Sequence, residues 1–113
     1  MSKTPREDIP TLLEMSFSDD PAVRREALGH LCPCHVKSNQ PELWNRLVEM
    51  VLDPDVKVRR AVVHTLCDGS PRERAPEVVH ALERMYNDPD EKLRKGVRRI
   101  VQHYRRTGKV NIL

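Results

Sequence analysis

Aromatic side chains are scarce in this chain: one Trp, two Tyr and one Phe among 113 residues. A core must therefore be built from aliphatic residues and alanine, which suits packed helices. Glycine is equally thin, with four residues, and no Gly-rich phosphate loop is present. The Gly-x-Ser-x-Gly elbow and the His-Glu-x-x-His metal motif are also missing, and paired carboxylates occur only in turns, where helix capping explains them. The reading is of a chain that is not an enzyme and needs no cofactor. No apolar run approaches the roughly 18 residues that span a bilayer, so no membrane association is expected. Met1 to Asp8 offers no apolar signal region, and the three cysteines are an odd number. Both point to free thiols in a reducing cytoplasm rather than to disulfides in an exported protein.

What the chain has in quantity is charge, 33% of its residues, and a repeat. Asp53-Pro54-Asp55-Val56-Lys57-Val58-Arg59-Arg60-Ala61-Val62 has a copy downstream, Asp88-Pro89-Asp90-Glu91-Lys92-Leu93-Arg94-Lys95-Gly96-Val97. A weaker copy lies upstream, Asp20-Pro21-Ala22-Val23-Arg24-Arg25-Glu26-Ala27-Leu28. Arg24, Arg59 and Arg94 are 35 residues apart, twice. A fixed period of that length marks a stack of helical units.

The helices read in order. Thr4-Pro5-Arg6-Glu7 is a helix start with a capping box, interrupted by Pro10, and Ser70-Pro71-Arg72-Glu73 with Pro76 repeats the device. Six helices are expected: about 9–18, with Ile9, Leu12, Leu13 and Phe17 inward; from Pro21 to the stop at Pro33; 41–52 after the cap Asn39-Gln40-Pro41-Glu42; 55–67; 76–87; and 90–106. Trp44 is expected partly buried with its indole N–H near the edge. Gly69 and Gly108 end the fourth and sixth helices. The expectation is one domain over 1–113, with units at about 5–35, 39–69 and 74–106 and an apolar tail at 107–113. A helix pair cannot bury its apolar face alone, so three antiparallel pairs should stack as an all-α solenoid.

An apolar helix, the turn Asp-Pro-Asp-x-x-Val-Arg-Arg and an alanine/valine helix together resemble the bacterial (PBS-lyase-type) HEAT repeat, over about residues 9–106. The resemblance implies that the second helix of each pair lines a concave surface. It also implies a ladder between adjacent units from the turn Asp and the following Arg: Asp53 with Arg59 and Asp88 with Arg94 match both positions. Asp20 with Arg24 departs from the pattern, its turn reading as two residues shorter. A turn carboxylate at a helix N-terminus suits both the dipole and a guanidinium fork. Relatives with this fold include alkylpurine DNA glycosylases. Nothing here matches a catalytic carboxylate flanked by tryptophans, so that activity is not carried over.

Three candidate sites follow. On the second helices Arg25, Arg60 and Lys95 are repeat-equivalent and point away from the apolar stripe. Arg60 shares a face with His64, and Lys95 with Arg99, His103 and Arg106. Residues 91–109 hold eight Lys or Arg against one Glu, net +7, leaving −4 for the rest of a +3 chain. A stacked row of cations suits an acidic protein or peptide partner, set against a solvated helix face. Non-specific nucleic-acid backbone binding centred on residues 91–109 of the basic C-terminal helix, Arg98, Arg99 and Arg106 among them, is the alternative, though the face offers few aromatics for base stacking. Second, Cys32, Cys34, His35, His64 and Cys67 could converge between units one and two as metal ligands. The paired Cys-x-x-Cys knuckles are absent, however, and Cys32 and Cys67 also read as small residues filling a seam. Third, Val110, Ile112 and Leu113 either cap the last unit or dock a partner.

Overall fold

Aspartates and prolines punctuate the chain into helices. The computed structural model describes residues 8–32 and 40–112. Over these run α1 (Ile9–Met15), α2 (Pro21–His30), α3 (Pro41–Glu49), α4 (Val56–Leu66), α5 (Ala75–Glu83) and α6 (Glu91–Thr107). Short 3-10 turns at Met50–Leu52 and Arg72–Arg74 finish α3 and lead into α5.

Asp20, Asp55 and Asp90 sit in extended backbone just ahead of α2, α4 and α6. Each carboxylate accepts from first-turn N–H groups: Ala22 for Asp20, Lys57 and Val58 for Asp55, and Leu93 for Asp90, all at 2.8–3.0 Å. Side-chain caps of this kind satisfy donors that the helix cannot pair itself. Gln40, expected to cap α3, makes no such side-chain bond; Pro41 at the first helical position starts that helix through its fixed φ. Gly69 (φ +86°) and Gly108 (φ +74°) take left-handed backbone at the turns after α4 and α6.

The helices pair in chain order. α1 lies on α2, α4 on the 3-10 turn that ends α3, and α5 on α6, while α2 and α4 pack across the first two pairs. One apolar core runs through all three, from Ile9 and Leu28 through Leu47, Val62 and Leu66 to Leu82, Val97 and Val101. Only a stack buries all these stripes together, and the result is an α-solenoid.

Three local expectations need correction. Helix α1 stops at Met15, so Phe17 falls in the turn beyond it and is 65% exposed rather than inward. The Arg46 guanidinium lies 3.6 Å from its ring centroid. The inward position is taken by Ser16, which receives the Arg46 Nε–H at 2.9 Å. Trp44 is 1% exposed, not half buried, and its indole N–H has no partner among the described residues. Helix α5 ends at Glu83, four residues early, and Arg84 to Asn87 continue as tight turns.

The first turn is not short. Asp20 caps its helix as Asp55 and Asp90 cap theirs, which makes Ser18 the counterpart of Asp53 and Asp88, 35 residues apart each time. The hydrogen bonds agree. The Asp20, Asp55 and Asp90 N–H groups donate to the side chains of Ser18, Asp53 and Asp88. Arg24, Arg59 and Arg94 each donate to the backbone carbonyl of that same residue, at 2.8–2.9 Å. The turn is conserved in geometry and changed in one residue.

The tail folds back. Val110 is buried in the core, and the Asn111 amide clamps the Ser70 backbone from both sides, accepting from its N–H and donating to its carbonyl, each at 2.9 Å. The start at Thr4, the stop at Pro33 and Leu113 lie outside the described residues.

Candidate functional site: the second-helix face

The ladder crosses unit boundaries one step away from the matching made on sequence. The Asp53 carboxylate takes the Arg24 fork at 2.9 and 3.0 Å, and the Asp88 carboxylate takes the Arg59 fork at 2.8 and 3.2 Å. Each guanidinium thus ties its own turn through a carbonyl and the next turn through a carboxylate. These side chains are largely buried, so the bidentate geometry is little screened. The hydrogen bond to Asp53 raises the Arg24 pKa above its ordinary value, against the lowering effect of burial. Arg94 holds only the Asp88 carbonyl, and no carboxylate among the described residues takes its remaining edge. Sequence spacing placed Asp and Arg in one motif but could not say which Asp serves which Arg.

The cations of the second helices divide into held and open ones. Arg98 donates to the Tyr86 carbonyl and to Asn87 at 2.8 Å and stacks 4.7 Å from the Tyr86 ring centroid. It fixes the outer side of the last pair rather than the candidate face. Arg98 stands where the two earlier units have the buried Leu28 and Val63, which explains its inward-leaning course. Lys95 pairs with Glu91 at 2.9 Å, and His64 lies 3.5 Å from Asp68, all four well exposed or nearly so. Arg60, whose side chain is 49% exposed, reaches both Asp90 oxygens at 3.3 Å. It does not face solvent alone, as expected, but adds a loose outer rung. The Asp90 carboxyl is held below the ordinary carboxylate range, first by the Leu93 N–H and then by Arg60. Arg25, Lys92, Arg99, Arg106 and Lys109 are exposed, with no partner among the described residues.

Arg60 and Arg99 flank a groove between α4 and α6. Val63, Leu93, Val97 and Ile100 form its apolar floor, Lys92 adds to the rim, and Gly96 and Ile112 complete the lining, around about 290 Å³. Lys92 and Gly96 were not singled out as site residues from sequence, and Ile112 only as part of the apolar tail. The signal available was the loss of a side chain at Gly96, where the preceding unit has Ala61.

The cysteines do not assemble with the imidazole. Cys67 is fully buried in the core while His64, three residues earlier, is 62% exposed on its side chain, so the two do not share a face. Burial pushes the Cys67 thiol up to about 12, and it stays protonated at neutral pH. Cys32 is buried with Sγ 3.7 Å from an Asp68 oxygen. No group of three His, Cys, Asp or Glu side chains able to hold a metal gathers among the described residues, and Cys34 and His35 lie outside them. None of the helices described is long and apolar enough to cross a membrane.

A family model described as HEAT repeats matches residues 9–100. Repeats of this kind generally mediate protein interactions and scaffolding. No curated protein and no solved structure matches the chain. The 35-residue period, the six paired helices and a match over most of the sequence agree: the chain belongs to the HEAT-repeat family.

Proposed function

We propose that this chain is a non-catalytic binding module that holds an acidic protein or peptide on its second-helix face. The observation that carries the reading is the line of exposed cations there, with Arg25 and Arg99 open and Arg60 and Lys95 loosely paired to Asp90 and Glu91. Arg25 on α2, Arg60 on α4 and Lys95 with Arg99 on α6 are repeat-equivalent or one turn apart, and all are exposed. Desolvated only in part, such a row draws in carboxylates over nanometre distances and holds them with modest energy per contact. Arg106 extends the row along α6, and His64 stands in it between Arg60 and the helix end. Arg98 is left out, because Tyr86 and Asn87 hold it.

Nucleic-acid backbone is the second reading, favoured by the surplus on residues 91–109. Against it, Arg94, Lys95, Arg98 and Arg105 are already engaged with protein oxygens, which lowers the charge that a phosphate chain would meet. Fluorescence anisotropy separates the two. A labelled glutamate-rich peptide should bind wild-type protein at low salt and lose binding with Arg60→Glu and Arg99→Glu, the melting temperature staying within a few degrees. Tighter binding of an oligothymidylate, lost with Arg99→Glu and Arg106→Glu, would instead establish the nucleic-acid reading.

A further inference from the structure

The groove between α4 and α6 has a feature that electrostatics alone does not explain. Its floor is apolar, formed by Val63, Leu93, Val97 and Ile100, while its charged lining is cationic throughout: Arg60, Lys92 and Arg99. Gly96 opens it from within helix α6. Glycine inside a helix costs about 1 kcal/mol relative to alanine. Nothing in the fold requires it there: its backbone is helical, and an added Cβ would meet no atom within 4 Å. The absent side chain leaves space where a guest can lie. At the neighbouring seam position Val63 is also smaller than Leu28, its counterpart one unit earlier.

We infer that this groove anchors one large apolar side chain of an acidic segment, whose flanking carboxylates meet Arg60, Lys92 and Arg99. The inference rests on the acidic-partner reading above and adds what such a partner must carry. At about 290 Å³ the groove sits at the small end of ligand pockets, which run from roughly 300 to 1,000 Å³, and has room for a single leucine, methionine or phenylalanine side chain with its backbone. Charge decides against a neutral or basic segment, since no carboxylate lines the groove. Nucleic acid would satisfy the rim but leave the apolar floor wet, and no aromatic ring lines it for a base to stack on. Ile112, placed by the buried Val110 and the Asn111 clamp, adds to the apolar lining.

The test uses the full chain and two labelled synthetic peptides with identical glutamate and aspartate residues, one with a central leucine and the other with a central serine. The leucine peptide should bind at least about tenfold more tightly, the equivalent of burying most of one aliphatic side chain. Gly96→Leu, which fills the groove, should abolish that preference without lowering the melting temperature. Gly96→Ala should reduce it while raising the melting temperature. Equal binding of the two peptides, or a preference that survives Gly96→Leu, would overturn the groove as anchor and leave the basic face standing. Binding of neither peptide, or an oligothymidylate competing as well as the leucine peptide, would overturn the acidic-partner reading and the anchor with it.

Discussion

Arg59 reaches out of its own helix pair to hold Asp88, with Nε 2.8 Å from one carboxylate oxygen and the second fork nitrogen 3.2 Å from the other. Removing the guanidinium strands a carboxylate that is almost fully buried. Arg59→Ala is expected to cost about 2–3 kcal/mol, between the values for exposed and buried pairs, and to lower the melting temperature by roughly 10 °C. Arg94→Ala breaks only a bond to a carbonyl and should cost under about 1 kcal/mol. Urea unfolding of the two variants side by side checks the contrast, and equal losses would refute the cross-unit ladder.

Acid should weaken the third unit. Because the Asp90 carboxyl is held below its usual value by the Leu93 N–H and Arg60, its ionised form favours the folded state. That contribution is fully present above the unfolded carboxylate value of about 3.9 and fades as pH falls below it, through the lower folded value. Asp90→Asn, which can still cap α6, should show a flatter stability profile below about pH 4 than wild type. Thermal melts across that range read it directly.

Cys67 acts in the opposite direction. Its thiol, pushed up to about 12 by burial, folds neutral, so stability is whole below the free-thiol value of about 8.5 and declines above it by about 1.4 kcal/mol per pH unit. In the native state at pH 8, iodoacetamide should leave Cys67 unmodified, as mass spectrometry of the digested protein would show. Rapid native labelling would mean that the α2–α4 seam opens readily.

Deleting residues 109–113 removes the buried Val110 and the Asn111 clamp on Ser70. About 1.5–3 kcal/mol of apolar burial goes with them, and the melting temperature should fall by roughly 5–10 °C. An unchanged melting point would show that the tail contributes nothing to the fold.

The solenoid was legible in the sequence because its signal is periodic. Asp, Pro and Arg recur at a spacing that nothing but a repeat explains, and the apolar stripes between them keep helical phase. Pairing was less legible, since Arg59 lies six residues from Asp53 and 29 from Asp88, and proximity in sequence favours the wrong carboxylate. Ser18 was missed for a related reason: residue type drew the eye to Asp20, while the period pointed two positions earlier. Phe17 was placed inward by a stripe that continued on paper past the end of α1. The groove could not be read at all, because a cavity is a property of two surfaces and only Gly96 hinted at it.

Ser18 bears on how copies of this molecule meet. A second copy stacked on the last helix pair, in the register of the repeat, would set Ser18 against the open edge of Arg94. The hydroxyl cannot return the bidentate ion pair that Asp53 and Asp88 give inside the molecule. Head-to-tail contacts that do not close grow into filaments when the two ends are complementary. A contact in that register would therefore lack the ion pair that ties one unit to the next within the molecule.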